Sequence, residues 1–377
     1  MADAVSLGER IKERGRALGF DAVGIARADA LDTDHARYER FIERGFHGEM
    51  GFVARDAIVR KRADDAGILA GARSVICVAS AYQRKPEDEA ADPAFSRRIA
   101  RYARGRDYHN GLRKKLRQLA AFVRTLGDGV EARPLSDDAP ILERAWAARA
   151  GLGFIGKNGM LIVPGLGSFV LLGEVVTTLE IDAGEPMAER CGTCTRCIDA
   201  CPTRAIVEPF VLDARKCISY LTIESRSAIP VTLRAGVGEH LFGCDDCQTV
   251  CPFTRGNKSS PASSRYEPLE RWSRTELVDL LSIESDSPRW RELSEGTPLH
   301  RATADGLARN AAIVLGNARD DAARGPLSRA AREHPSEMVR EAARWALRGL
   351  RSEAETSEKF GELEGRSPSN DEDLGKQ

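Results

Sequence analysis

The sequence predicts an α/β fold that gives way to a cysteine-rich unit and then to an all-helical end. Three observations predict it. Helix-like and strand-like segments interleave over residues 1–185. Eight of the nine cysteines fall between Cys191 and Cys251. Small and large apolar residues recur at helical spacing between about residues 285 and 350.

The elements follow in order. Leu7, Ile11 and Leu18, set among charges in Val5–Leu18, predict an amphipathic first helix. Ala22–Ala26 reads as a strand. Ser74–Ala79 is a β-branched run, hence a buried strand in which Cys77 packs as a small hydrophobe. Asn110–Leu126 and Ile141–Ala150 read as helices, and Met160–Val163 and Ser168–Thr177 as strands. Near the end, Ala308–Leu315 and the set Val339, Ala342, Ala343, Ala346, Leu347 and Leu350 predict helices, with Pro335 in the first turn of the last one. Short helices of this kind resemble stacked helical repeats. From Ser352 to Gln377 there are eight acidic and three basic residues, which predicts a disordered acidic tail. The expected units are therefore 1–185, 186–257, 258–351 and 352–377.

Length and charge set the outer limits. At roughly 150 residues per domain, 377 residues suggest two or three domains. The balance of 56 Lys+Arg against 57 Asp+Glu excludes a polycationic nucleic-acid coat but leaves room for a local basic face. The N-terminus carries no apolar signal-like stretch, and the longest charge-free run, Asn158–Gly173, is too short for the ~20 residues of a membrane helix. A cytoplasmic protein with a cysteine-bound inorganic centre is expected.

The cysteine pattern carries the most chemistry. Cys191-x2-Cys194-x2-Cys197-x3-Cys201-Pro202 turns three thiolates around one compact cluster and throws the fourth onward. A second quartet is Cys217, then Cys244-x2-Cys247-x3-Cys251-Pro252, its first member set apart by the 26 residues Ile218–Gly243. Exchange of fourth ligands, as in two-cluster ferredoxins, puts one 4Fe–4S cluster on Cys191, Cys194, Cys197 and Cys251. The other falls on Cys201, Cys217, Cys244 and Cys247. Structural zinc fits poorly, because zinc modules pair two short Cys-x-x-Cys hooks across a longer loop. Two adjacent clusters imply an electron relay, and the ~300 residues beyond them favour a terminus within this chain.

Other segments leave alternatives open. Arg97–Gln118 holds nine Lys/Arg, one acid (Asp107), and interleaved Tyr102, Tyr108 and His109. It suits a phosphate-bearing partner or is a solvated helix face. Asp137 or Asp138 caps the following helix or does carboxylate chemistry. Gly151–Asn158 is glycine-rich, but Asn158 stands where a nucleotide P-loop needs a hydroxyl, so close approach to another bulky cofactor is the alternative.

Taken together, these segments resemble the epoxyqueuosine reductase family. The matching stretches are Lys61-Arg62, Arg101–His109, Asp137–Pro140, Arg149–Asn158, Gly167-Ser168 through Gly173-Glu174, Cys217–Glu224 and Phe242–Cys247. The resemblance covers nearly all of residues 1–350. It implies a cobalamin-binding α/β core like that of the reductive dehalogenases, a two-cluster ferredoxin-like domain and a HEAT-like helical domain. The implied activity is reduction of epoxyqueuosine to queuosine at the tRNA wobble position, with cobalamin and two 4Fe–4S clusters. The implied substrate contact is the anticodon stem-loop of tRNAs with a G-U-N anticodon. An external low-potential electron donor, no membrane, and a cytoplasmic monomer complete the picture.

Residue by residue, the resemblance makes Asp137 the proton donor. It sets Arg62, Ala100, Asp137, Leu161, Leu172, Ser219, Cys244 and Asp245 around the cobalamin, with Lys157 and Asn158 on the same pocket-forming loop. Arg226 falls near a tRNA contact. Protonating the departing oxygen near neutral pH calls for a raised Asp137 pKa, from desolvation or from a like charge such as Asp138. Two competing readings share the clusters: a reductive-dehalogenase-like reductase of a small molecule, with less need of residues 285–350, and a bare electron carrier that binds no corrin.

Overall fold

The structure, a computed structural model, describes residues 5–137, 139–254 and 266–351. Asp138 and the acidic segment from Ser352 lie outside the described residues.

A four-stranded sheet organises the first half: β1 (Ala22–Arg27), β2 (Ser74–Ala81), β3 (Ala132–Leu135) and β6 (Val170–Thr177). Its order is β1-β2-β6-β3, and every neighbouring pair is antiparallel. The central β2 is buried at all eight positions, so its β-branched run has no solvent face to alternate with. Pro134 lies in β3, where its missing N–H is tolerated because β3 is an edge.

The two faces of the sheet differ. One is covered by the helices Leu7–Ala17 and Tyr108–Arg124, whose Ile11, Leu112, Leu116, Leu119 and Val123 pack on Ile25, Ile76, Val78 and Val175. Ser6 caps the first of these helices by accepting from the Glu9 N–H. The other face is covered by the helix Glu143–Arg149 and by a hairpin of β4 (Phe154–Ile155) and β5 (Leu161–Ile162). Cys77 is fully buried there among Leu135, Ala145, Trp146 and Leu161.

Glycine makes the hairpin possible. A Cβ on Gly153 would lie 2.1 Å from the Ile162 carbonyl oxygen, and one on Gly151 (φ +76°) 2.6 Å from that of Glu185. The close approach expected of this loop is thus to the chain's own backbone.

Residues 191–254 carry the cysteines on short turns, with two four-residue helices, Arg196–Asp199 and Asp246–Thr249, and a small ribbon of β7 (Ile206–Glu208) and β8 (Val211–Leu212). The C-terminal helices Ala304–Ala318, Arg324–Glu333 and Glu337–Arg351 pack through Ala311, Leu315, Leu327, Ala343 and Ala346. Pro335 stands two residues before the last helix rather than in its first turn.

This helical unit has no core to itself. One apolar cluster joins its side chains to Phe95, Ile99, Leu221, Ile223, Leu241 and Phe242. The 26-residue excursion inside the second quartet is therefore the floor on which the helices sit. Among the described residues, no helix is long and apolar enough to cross a membrane.

Candidate active site

The turn after β3 carries Asp137 in the left-handed region, at φ +60°, rare for a non-glycine residue. Asp137 does not cap the next helix, which starts at Glu143 with no side-chain cap. Its carboxylate is instead a meeting point. Tyr108 donates its hydroxyl to Oδ2, and His109 Nε2 lies 3.2 Å from the same oxygen. The Asp137 N–H donates to Glu143 Oε1 at 2.7 Å.

The helix Tyr108–Arg124 aims the two rings. Its N-cap, Asp107, accepts from the His109 N–H at 3.0 Å and lies 2.6 Å from His109 Nδ1. One carboxylate thus caps the helix and fixes the imidazole, which stacks on Tyr108 at 4.2 Å between centroids.

The electrostatics follow from these contacts. Hydrogen bonds to Asp107 and Asp137 outweigh burial and raise the His109 pKa to about 9. Burial and the Asp137 charge push Glu143 up to about 8. Asp137 itself is held below the ordinary carboxylate range, because bonds from His109 and Tyr108 overcome desolvation. The raised Asp137 pKa expected from sequence is corrected here: the like charge beside it is Glu143, and that residue takes the proton.

Behind them sits Glu174, fully buried, opposite Cys77 of β2 and Leu135 of β3. Neither of its carboxyl oxygens has a hydrogen-bond partner among the described residues, and burial drives its pKa well up, which favours the neutral acid.

The thiols of Cys191, Cys194, Cys197 and Cys251 line one cavity of about 30 Å³, together with Phe253 and Lys157. The last cysteine of the second motif thus joins the first three of the first. In the other set, Cys217 and Cys244 are raised by burial and by their neighbours' charges, Cys201 acting on the former and Cys217 and Cys247 on the latter. The donor set suits iron, which replaces the thiol proton.

Comparison with known proteins bears on both centres. The family described as Epoxyqueuosine reductase QueG, DUF1730, matches residues 62–138, and the 4Fe-4S double cluster binding domain matches residues 190–254. Epoxyqueuosine reductase of Gloeobacter violaceus is 44 % identical over 324 residues, spanning 83 % of this chain and 97 % of its own. That of Pseudomonas aeruginosa is 40 % identical over 350 residues, spanning 92 % and 95 %. The chain belongs to the epoxyqueuosine reductase family.

Solved members of the family share the whole fold. The Bacillus subtilis enzyme, with an aspartate-bearing catalytic loop swung out of its active site, superposes with a TM-score of 0.82 at 30 % identity, covering 96 % of this chain and 94 % of that one. An epoxyqueuosine reductase with an epoxyqueuosine-modified tRNA-Tyr stem loop gives 0.81 at 30 % identity, covering 96 % and 95 %.

The residues that the family resemblance assigns to cobalamin fall in three places. Ala100, Ser219, Cys244 and Asp245 are stitched together: the Ala100 N–H donates to the Phe242 carbonyl (2.8 Å), the Arg101 N–H to Asp245 Oδ2 (2.8 Å), and the Gly243 N–H to Thr222 in Ser219's helix (2.9 Å). Leu161 and Leu172 lie on the Glu143 face of the sheet. Arg62 is held bidentate by Asp64 (2.8 and 2.7 Å) and lines another pocket, of about 260 Å³, with Arg27, Asp29, Arg73 and Glu180.

Lys157 and Asn158 are drawn to the cysteines. Lys157 Nζ donates to the carbonyls of Gly192 (2.6 Å) and Cys194 (3.1 Å), and Asn158 Nδ2 to that of Cys247 (3.3 Å). Arg226 turns its guanidinium to the Ile223 (2.8 Å) and Arg301 (2.6 Å) carbonyls.

The basic stretch divides in two. Arg101 pairs with Glu89 (2.7 Å) and Arg104 with Asp92 (3.4 Å) in the interior, whereas Arg106, Lys114 and Arg117 are exposed. Sequence reasoning missed Glu143, Glu174 and the tie of His109 to Asp137. One signal was present: Glu174 is an acid inside an otherwise apolar strand.

Proposed function

We propose that this chain reduces epoxyqueuosine to queuosine at the wobble position of tRNA, the last step of queuosine biosynthesis. The observation that carries the reading is one carboxylate, Asp137, held by Tyr108, His109 and Glu143 on the same chain as two four-thiol centres. Full-length kinship to named epoxyqueuosine reductases supports it.

The residues fit the cofactors. The eight thiols suit two 4Fe–4S clusters in the exchanged arrangement, Cys191, Cys194, Cys197 and Cys251 against Cys201, Cys217, Cys244 and Cys247. For cobalamin, the small side chains Ala100 and Ser219 and the apolar Leu161 and Leu172 offer a wall for a broad ring. Ser168 Oγ, Gln248 Oε1 and Thr254 Oγ1 are buried without partners among the described residues, as suits a ligand rimmed with amides. Held there, cobalamin would supply the two electrons that open and deoxygenate the epoxide, and the clusters would pass them on from an external low-potential donor.

The chain's own residues do the rest. Asp137 presents a carboxyl to the departing oxygen, which otherwise leaves as an alkoxide. Tyr108 and His109 fix its rotamer, and its left-handed backbone sets it at the tip of the turn. Lys157 and Asn158 tie the catalytic unit to the two cysteine sets, keeping the path for electrons short. The helices of 258–351, read as a HEAT-like platform, and the exposed Arg106, Lys114 and Arg117 receive the anticodon stem-loop. The unpaired wobble base of a loop can be extruded into a pocket. The protein is read as a cytoplasmic monomer acting on tRNAs with G-U-N anticodons.

Asp137→Asn tests the reading. The variant is expected to retain iron and cobalamin yet lose turnover of epoxyqueuosine-containing tRNA, followed by nucleoside mass spectrometry. Turnover at the wild-type rate would overturn the role of Asp137.

A further inference from the structure

Opening an epoxide to an alkene breaks two C–O bonds, forms one C=C bond and releases the oxygen as water. The reaction takes in two electrons and two protons. The external donor supplies the electrons. One carboxyl at Asp137 cannot hold both protons, and in this structure it holds none.

The surroundings hold two. We propose that Glu143 stores one of the two protons consumed in each turnover and that His109 stores the other, both reaching the departing oxygen through the Asp137 carboxylate. The inference rests on the epoxide reduction proposed above and assigns its protons.

The geometry sets both groups against Asp137. Glu143 Oε1 accepts from the Asp137 backbone N–H at 2.7 Å, which holds the Glu143 carboxyl beside the Asp137 turn. His109 Nε2 lies 3.2 Å from Asp137 Oδ2, and its other nitrogen rests on Asp107 at 2.6 Å. At neutral pH, the Glu143 carboxyl (about 8) and the His109 imidazolium (about 9) are both protonated. A developing alkoxide is far more basic than any of these groups. It draws a proton from Asp137 as Asp137 takes one from its neighbour.

Charged and titratable groups face this site from every packed element. Arg144 stands beside Glu143 on its own helix, Glu174 and Cys77 approach from the sheet, Tyr108 and Tyr102 from the segment before and at the start of the helix Tyr108–Arg124, and Arg301 from the helical unit. Burial, with the Glu143 and Asp137 charges behind it, drives the Glu174 pKa up. Glu143 acts through Asp137 and is a positioning residue in that sense.

The test uses holoenzyme with full cobalamin and iron content, reduced beforehand and mixed with epoxyqueuosine-modified stem loop for a single turnover. For the wild type, the rate is expected to fall as pH rises through about 8. Glu143→Gln is expected to lose about 100-fold at neutral pH and the inflection with it, whereas Glu143→Asp keeps a displaced inflection. A second readout is independent of turnover. In infrared difference spectra, a carboxylic-acid C=O band that shifts in D2O is expected to titrate near pH 8, to vanish in Glu143→Gln and to persist in Glu174→Gln. Wild-type rate and inflection in Glu143→Gln, or survival of the titrating band there, would overturn the proposal. If Glu143→Gln fails to hold its cofactors, an undisplaced inflection in Glu143→Asp overturns it instead. Failure of the wild type itself to reduce the stem loop would overturn the function and not the proton store.

Discussion

Arg309 joins the helical unit to the second cysteine set, and the effect of its removal can be worked from the structure. It is 1 % exposed, on the helix Ala304–Ala318. Its guanidinium donates to the carbonyls of Leu221 (2.6 Å), Ser225 (3.0 Å) and Ser227 (2.6 Å). Leu221 lies in the last turn of the helix Ile218–Ile223, Ser225 and Ser227 lie just beyond its end, and the helix starts just after Cys217. Next to it, Asn310 donates to the Thr222 (2.8 Å) and Leu241 (2.9 Å) carbonyls. Arg309→Met leaves three carbonyls without this donor, at about 2 kcal/mol each. It also relieves a guanidinium that burial holds down at about 10, worth on the order of 3 kcal/mol. The net loss is about 3 kcal/mol, or a Tm lower by roughly 4 °C for a chain of 377 residues. Arg309→Lys is expected to recover little, because one ammonium cannot serve three diverging carbonyls. The assay is thermal unfolding of anaerobically purified holoenzyme, followed by helical circular dichroism and by cluster absorbance. A Tm within about 2 °C of wild type would refute the strut.

Other outcomes follow from single contacts. Lys157→Met removes the donor to the Gly192 and Cys194 carbonyls, so the first cluster should be lost sooner, read as iron content and electron paramagnetic resonance after brief air exposure. Cys77→Ala should keep every iron, because Cys77 is buried in the sheet and not in a thiol set. His109 is raised from the ordinary 6.5 to about 9, so its contribution to stability is full below pH 6.5 and lost as pH rises through 9. His109→Gln should flatten that fall in denaturant midpoints measured across this range. Stem-loop affinity should weaken with added salt, and Arg106→Ala and Arg117→Ala should each reduce the salt slope by about one phosphate contact.

What the sequence showed and hid has a physical pattern. The meeting of Cys251 with Cys191, Cys194 and Cys197 around one cavity is legible because motif spacing is local: a few residues decide where each thiol points. Three of the sheet's four strands and the helices packed on it are legible within a few residues at most ends, whereas the short edge strand Ala132–Leu135, which holds Pro134, is not. Charge counting, by contrast, cannot divide Arg97–Gln118, since nothing local separates Arg101 and Arg104, paired inside with Glu89 and Asp92, from Arg106 on the surface. The family resemblance assigns Lys157 and Arg226 to a ligand pocket and a tRNA contact, but their hydrogen bonds run to carbonyls brought near by the fold.

The proton-bearing groups are the least visible, because the β3–β6 ladder and two separate helices bring them together from residues 107 to 174. Even so, one of them breaks a local rule. Val170–Thr177 is a buried apolar strand with a carboxyl in its middle, and Glu174 has no partner among the described residues to offset its desolvation. A fold selected for stability alone has every reason to replace that acid with a residue shaped for the core. Its position opposite Leu135, at the end of the strand that delivers Asp137, gives the acid a reason to stay. It lines the back of a site whose reaction consumes protons, and burial favours its uncharged form. Local rules and global fold disagree at this residue, and such disagreement marks where chemistry outranks packing.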